Sequence, residues 1–160
     1  MNMEKSALLM IVPVFFAVFA GPSYAMSAKD MARILPDKVL DLTTTGEPPT
    51  IQDVQKGGGD YHRVQKLYNS KSGRMAVVAV IRGVSVTKDI AAQFAHGTSS
   101  LSIKGFKGVV NPASNPGAVS ISVKLRDDQM ITVVTLNTKT ISFAKELLNA
   151  LDLEGLAKLQ

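Results

Sequence analysis

The chain has 160 residues, of which 46% are hydrophobic and 19% charged, with 18 Lys and Arg against 13 Asp and Glu for a formal net charge of +5. That apolar content excludes a disordered tail, and the length suits one domain. There is no cysteine, which excludes a disulfide framework, a thiolate zinc site, a cysteine nucleophile and a lipid-bearing N-terminal cysteine. His62 and His96 are the only histidines, so one chain cannot build a three-histidine metal centre.

Residues 1–25 have the form of an export signal. Lys5 and the amino terminus supply positive charge, Ser6 to Ala20 is almost purely apolar, and Gly21-Pro22 breaks the run. Ser23-Tyr24-Ala25 then sets small residues at the two positions a signal peptidase inspects, which predicts cleavage after Ala25. A membrane anchor would need about 20 apolar residues; this run is shorter and contains Pro13. The expected mature protein, residues 26–160, carries no second hydrophobic span. It is read as a single periplasmic or secreted domain.

In chain order, Ser27 caps a short helix over 28–35, which Pro36 ends. Residues 37–59 read as loop, with at most a short extended piece at 39–42. Gly57-Gly58-Gly59 reads as a turn, since a phosphate cradle needs a strand before the glycines and a helix directly after them. Residues 61–68 and 74–82 form a hairpin, and the apolar run between Arg74 and Arg82 predicts a strand buried on both faces. Thr87 caps a helix over 88–96. Three strands follow, 101–110, 119–125 and 130–136, the second alternating cleanly between Val119, Ile121, Val123, Leu125 and Ser120, Ser122, Lys124, Arg126. A helix capped by Thr138 or Thr140 runs through Leu151, its stripe formed by Ile141, Ala144, Leu148 and Leu151. The expected fold is α+β: a twisted antiparallel sheet of about five strands, a hairpin plus a three-strand meander, covered by helices.

The short helix ending at Leu35-Pro36, the paired strands, the helix led by Asp89 and the closing segment Leu148 to Leu159 with its Asp152-Leu153-x-x-Leu156 pattern resemble small uncharacterised secreted bacterial proteins. Those are similar in turn to the PsbP/Mog1-like α+β sandwich. The resemblance implies a non-catalytic accessory or assembly domain, and it carries no catalytic motif across.

The charge is segregated. Residues 26–53 carry three cations against five acids, and residues 127–160 do the same. Residues 54–126 carry eleven cations against Asp60 and Asp89, a net +9. One reading makes these cations solvated strand edges and loop tips. The other gathers Arg63, Lys66, Lys104, Lys107, Lys124 and Arg126 with Ser120 and Ser122 into a surface for phosphate, carboxylate or sulfate groups. Nucleic acid fits poorly, because the chain is exported and lacks stacking aromatics.

Catalytic constellations are sparse. Asp127-Asp128 reads as a turn, and Ser70-Lys71 or Ser122 with Lys124 does not open a helix as an activated nucleophile would. His62 and His96 with a carboxylate could hold a divalent metal or support hydrolysis. The leading expectation is a binding or accessory domain without catalysis or cofactor, whose basic surface meets an envelope protein or an anionic lipid or polysaccharide. The alternatives are a metal-binding or hydrolytic protein built on His62 and His96, and a structural part of an envelope assembly.

Overall fold

The computed structural model describes residues 27–56, 59–112, 115–138 and 140–159; the export segment 1–25 and Lys139 lie outside them. Helix α1, Ala28–Ile34, starts where the Asp30 carboxylate accepts the Ser27 backbone N–H at 3.1 Å, a bond that satisfies an otherwise orphan donor. Strands β1 (Lys38–Val39), β2 (Leu42–Thr44), β3 (Thr50–Lys56), β4 (Gly59–Asn69) and β5 (Met75–Arg82) follow. A 3-10 turn at Val84–Val86 leads into α2, Thr87–His96. Then come β6 (Ser99–Ile103), β7 (Phe106–Asn111), β8 (Val119–Arg126), β9 (Gln129–Leu136), α3 (Ile141–Ala150) and α4 (Leu153–Lys158).

This overturns the expectation of about five strands covered by helices. Nine strands form one antiparallel sheet in the order β1-β2-β4-β5-β9-β8-β7-β6, with β3 also paired to β4; the helices are few and short. Two readings failed for physical reasons. Residues 37–59 looked like loop because β3 is an edge strand whose Ile51, Gln52 and Asp53 are all exposed, so burial imposes no apolar alternation on it. Residues 101–110 looked like one strand but form the β6–β7 hairpin. Lys104 and Gly105, with φ of 51° and 83°, make the two-residue left-handed turn that matches strand twist. Two boundaries also moved. Thr87 lies inside α2, and the terminal helix breaks at Leu151, after which the Asp152 carboxylate accepts the Gly155 N–H at 2.8 Å and starts α4.

Cross-strand register sorts the side chains onto two faces. Val64, Val80, Ile131 and Val123 share one row, and Lys66, Val78, Val133 and Ile121 the next. This is the covered face, where α1, α3 and α4 bury Met31, Leu35, Phe143, Leu147, Leu148, Leu153 and Leu156 against the sheet. On the opposite face a smaller cluster of Val86, Ile90 and Met130, joined by Tyr61, Ile81 and Phe94, seats α2. The end of α2 comes so close to β7 that a Cβ on Gly97 would stand 2.6 Å from the Val109 Cβ. Glycine is required there by contact.

Two polar side chains on the covered face tie the end of α1 to the sheet. Lys66, 8% exposed, donates to the Leu35 carbonyl at the end of α1 and to the Asp37 carboxylate at 3.0 Å. Tyr68, wholly buried, donates its hydroxyl to the Pro36 carbonyl at 2.7 Å. Burial, reinforced by the nearby Asp37 charge, pushes the Tyr68 phenol up from 10.0 to about 12. Together the two side chains clamp the α1–β1 connection onto the sheet.

Candidate ligand-binding face

Helix α2 is ten residues long and covers only part of its face. Beside it lies a groove of about 420 Å³ lined by Tyr61, Arg63, Gln65, Val77, Ala79, Ile81, Thr132 and Val134. These are the residues of β4, β5 and β9 whose parity opposes the core: Gln65, Ala79 and Thr132 form one row, and Arg63 and Ile81 belong to the next. The floor is therefore short and mostly apolar, and β4 supplies the polar wall.

Arg63 distinguishes this wall. The chain has five arginines, and four of them meet a carboxylate: Arg33 with Asp30, Arg74 with Asp41, and Arg82 and Arg126 with Asp128. Arg63 instead donates to the Gln65 side-chain oxygen at 2.7 Å, and among the described residues no carboxylate pairs with it. A half-buried guanidinium bonded only to a neutral amide keeps donors and its full charge for an incoming anion.

A hydroxyl relay joins α2 to the floor. The Ser122 Oγ accepts from the Gln93 and Asn111 side-chain amides, both at 2.8 Å, and lies 2.8 Å from the Thr132 Oγ1. With both lone pairs of Ser122 used, its proton goes to Thr132. Thr132 is then left with its own proton to donate toward the groove.

The eight residues expected to form an anion surface are not brought together. Lys66 is buried on the covered face and Ser122 is buried in the relay. Lys104 reaches across the covered face to the Leu151 carbonyl at 2.9 Å. Lys124 pairs with Asp127 at 2.7 Å, and that lysine holds the Asp127 carboxyl below its ordinary range. Arg126 pairs with Asp128 and donates to the Leu159 carbonyl; the shallow depression at this β8–β9 turn is thus lined by charges already matched within one hairpin. Ser120 lies beside Asn111 and Lys107 is exposed on β7. Arg63 and Lys124 stand in one cross-strand row, but Ile81 and Met130 lie between them under α2. Three interstrand spacings, about 14 Å, keep them apart.

The two histidines lie on opposite faces. The His62 Nδ1 is 2.7 Å from the Asp53 carboxylate, which also accepts the Ala28 N–H; this bond to His62 is the main cause holding the Asp53 carboxyl below its usual value. His96 is exposed at the end of α2. Among the described residues no group of three His, Asp or Glu side chains could hold a metal ion, and no helix is long and apolar enough to cross a membrane.

Sequence reasoning named Arg63, Lys124 and the serines by charge and alternation but missed Tyr61, Gln65, Val77, Ala79, Thr132 and Val134. The missed signal was the second parity of the β5 run. Met75, Val77, Ala79 and Ile81 are only half-buried, so the strand read as covered on both faces is open on one. Comparison with protein-family models, with curated proteins and with solved structures returned no match.

Proposed function

We propose that the protein is a non-catalytic, exported binding protein that takes an anionic partner with an apolar body on the groove beside α2. The single observation that carries this reading is Arg63, which among the described residues pairs with no carboxylate and stands at the wall of an apolar floor. The groove supplies what an amphiphilic anion needs: short apolar side chains for a chain or ring, a guanidinium for a phosphate or carboxylate, and the Thr132 hydroxyl as a further donor. An anionic envelope lipid fits this chemistry better than a polysaccharide, because the floor is apolar. The partner meets one groove and not a broad basic surface, since Lys66, Lys104, Lys124 and Arg126 are each engaged within the fold.

Isothermal titration with octyl phosphate below its micelle concentration, and with octanol as the uncharged control, tests this. The expected outcome is saturable binding of octyl phosphate, weaker binding of octanol, and loss of the difference in Arg63→Gln. Equal heats for octyl phosphate in the parent chain and in Arg63→Gln would contradict it.

A further inference from the structure

The end of the sheet at β6 stands apart from the other end. A strand at a sheet edge offers unpaired N–H and C=O groups to any other strand, and natural edges are blunted with charge, proline, bulges or short length. The opposite end follows that rule: β1 has two residues and begins with Lys38, and β3 carries the exposed Asp53. Strand β6 reads Ser-Ser-Leu-Ser-Ile, without charge or proline. Its pairing with β7 runs in unbroken register from Ser99↔Val110 to Ile103↔Phe106, and among the described residues nothing pairs with its outer side. Ser99, Ser100 and Ser102 are exposed.

The two-residue turn fixes which backbone groups face outward. It makes Ile103 and Phe106 a hydrogen-bonded pair, so alternation gives Leu101 and Ser99 the same role and turns the N–H and C=O of Ser100 and Ser102 away from β7. Two copies related by a twofold axis then match themselves. With Leu101 opposite Leu101 of the partner subunit, Ser100 exchanges both backbone bonds with Ser102 of the partner subunit. In that register Lys104 falls opposite Thr98 of the partner subunit, so no lysine meets a lysine. Leu101 is half-buried on the face that α3 covers, so the central pair extends the apolar row across the axis.

We infer that the protein forms a twofold dimer through antiparallel β6–β6 pairing, joining two sheets into one continuous sheet. A second copy is favoured over a foreign strand because the register is self-complementary in backbone bonds, apolar contact and charge. This surface is on the sheet edge, remote from Arg63, and does not depend on the groove reading.

The test uses protein recovered from cells expressing the whole chain. Light scattering over a concentration series is expected to show a monomer–dimer equilibrium in the micromolar range. Ser100→Pro removes one outward N–H and costs β6–β7 pairing no bond, so it should give a monomer with an unchanged circular dichroism spectrum. Should that variant misfold, charge pairing still decides. Ser100→Glu with Ser102→Glu sets like charges opposite each other and should dissociate the dimer, whereas Ser100→Glu with Ser102→Lys should preserve it. Because the chain has no cysteine, Leu101→Cys should oxidise to a single covalent dimer and Ser102→Cys should cross-link much more slowly. A monomer at several hundred micromolar overturns the inference. So does a dimer indifferent to the charge-pair variants, or equal cross-linking at the two positions.

Discussion

The two faces of the sheet solve the same problem differently. On the covered face three helices shut out water, and each buried polar side chain discussed above has a fixed partner: Lys66 on Leu35 and Asp37, Tyr68 on Pro36. On the other face a single helix shields one side, the polar residues form a relay of hydroxyls and amides, and an arginine is held by a neutral amide. A closed network of that first kind specifies a fold and has nothing left to offer a ligand. Unspent donors beside an uncovered apolar floor are what recognition requires. The lesson is that charge matters less by its count than by which charges remain unmatched after folding.

The contrast can be broken by exchanging stability for binding. Lys66→Ala removes a buried side chain and strands the end of α1, so it should cost about 2–4 kcal/mol in urea unfolding while leaving octyl phosphate affinity unchanged in the folded fraction. A loss below about 1 kcal/mol would mean the α1 clamp is not part of the core.

Tyr68 sharpens the same face through pH. Its phenol is raised to about 12 in the fold, so folding favours the protonated form. That contribution is complete below the unfolded value near 10 and is lost as pH climbs from about 10 toward 12. It corresponds to about 2–3 kcal/mol on the alkaline limb. Tyr68→Phe should flatten that limb and, at neutral pH, lose only about 1 kcal/mol for the missing bond to Pro36. Equally steep alkaline unfolding in the variant would assign the limb to other groups.

On the open face the roles reverse. Arg63→Gln should weaken octyl phosphate roughly tenfold to a hundredfold, the worth of a charge-assisted hydrogen bond, and leave thermal unfolding nearly unchanged. The smallest effect is expected at the β8–β9 turn. Arg126→Ala removes an exposed pair with Asp128 and should shift stability by no more than about 0.5 kcal/mol, with binding intact. A binding loss there equal to that of Arg63→Gln would restore a diffuse basic surface.

Much of the central sheet was legible in the sequence. The clean alternation of Val119 to Leu125 and the apolar run of β5 located two inner strands, because one buried face imposes a period of two. Edge strands obey no such constraint: β3 exposes Ile51 as well as Gln52 and Asp53, so its pairing with β4 left no apolar pattern to read. The β6–β7 turn does carry a signal, Lys104-Gly105, but it sits between two stretches of strand character that run together as one. The site was partly visible through Arg63. Its distinction from Lys124 or Arg126 was not, since a sequence records that a cation exists but not whether an aspartate folds onto it. Asp127 and Asp128 lie next to the cations they neutralise, and that adjacency was the available hint.

Amide chemical-shift mapping with octyl phosphate decides whether the groove beside α2 is where the anion sits. The perturbations should fall on Arg63, Gln65, Val77, Ala79, Thr132 and Val134, and vanish in Arg63→Gln. Shifts centred on Lys124 to Asp128, or scattered over exposed lysines on both faces, would contradict it.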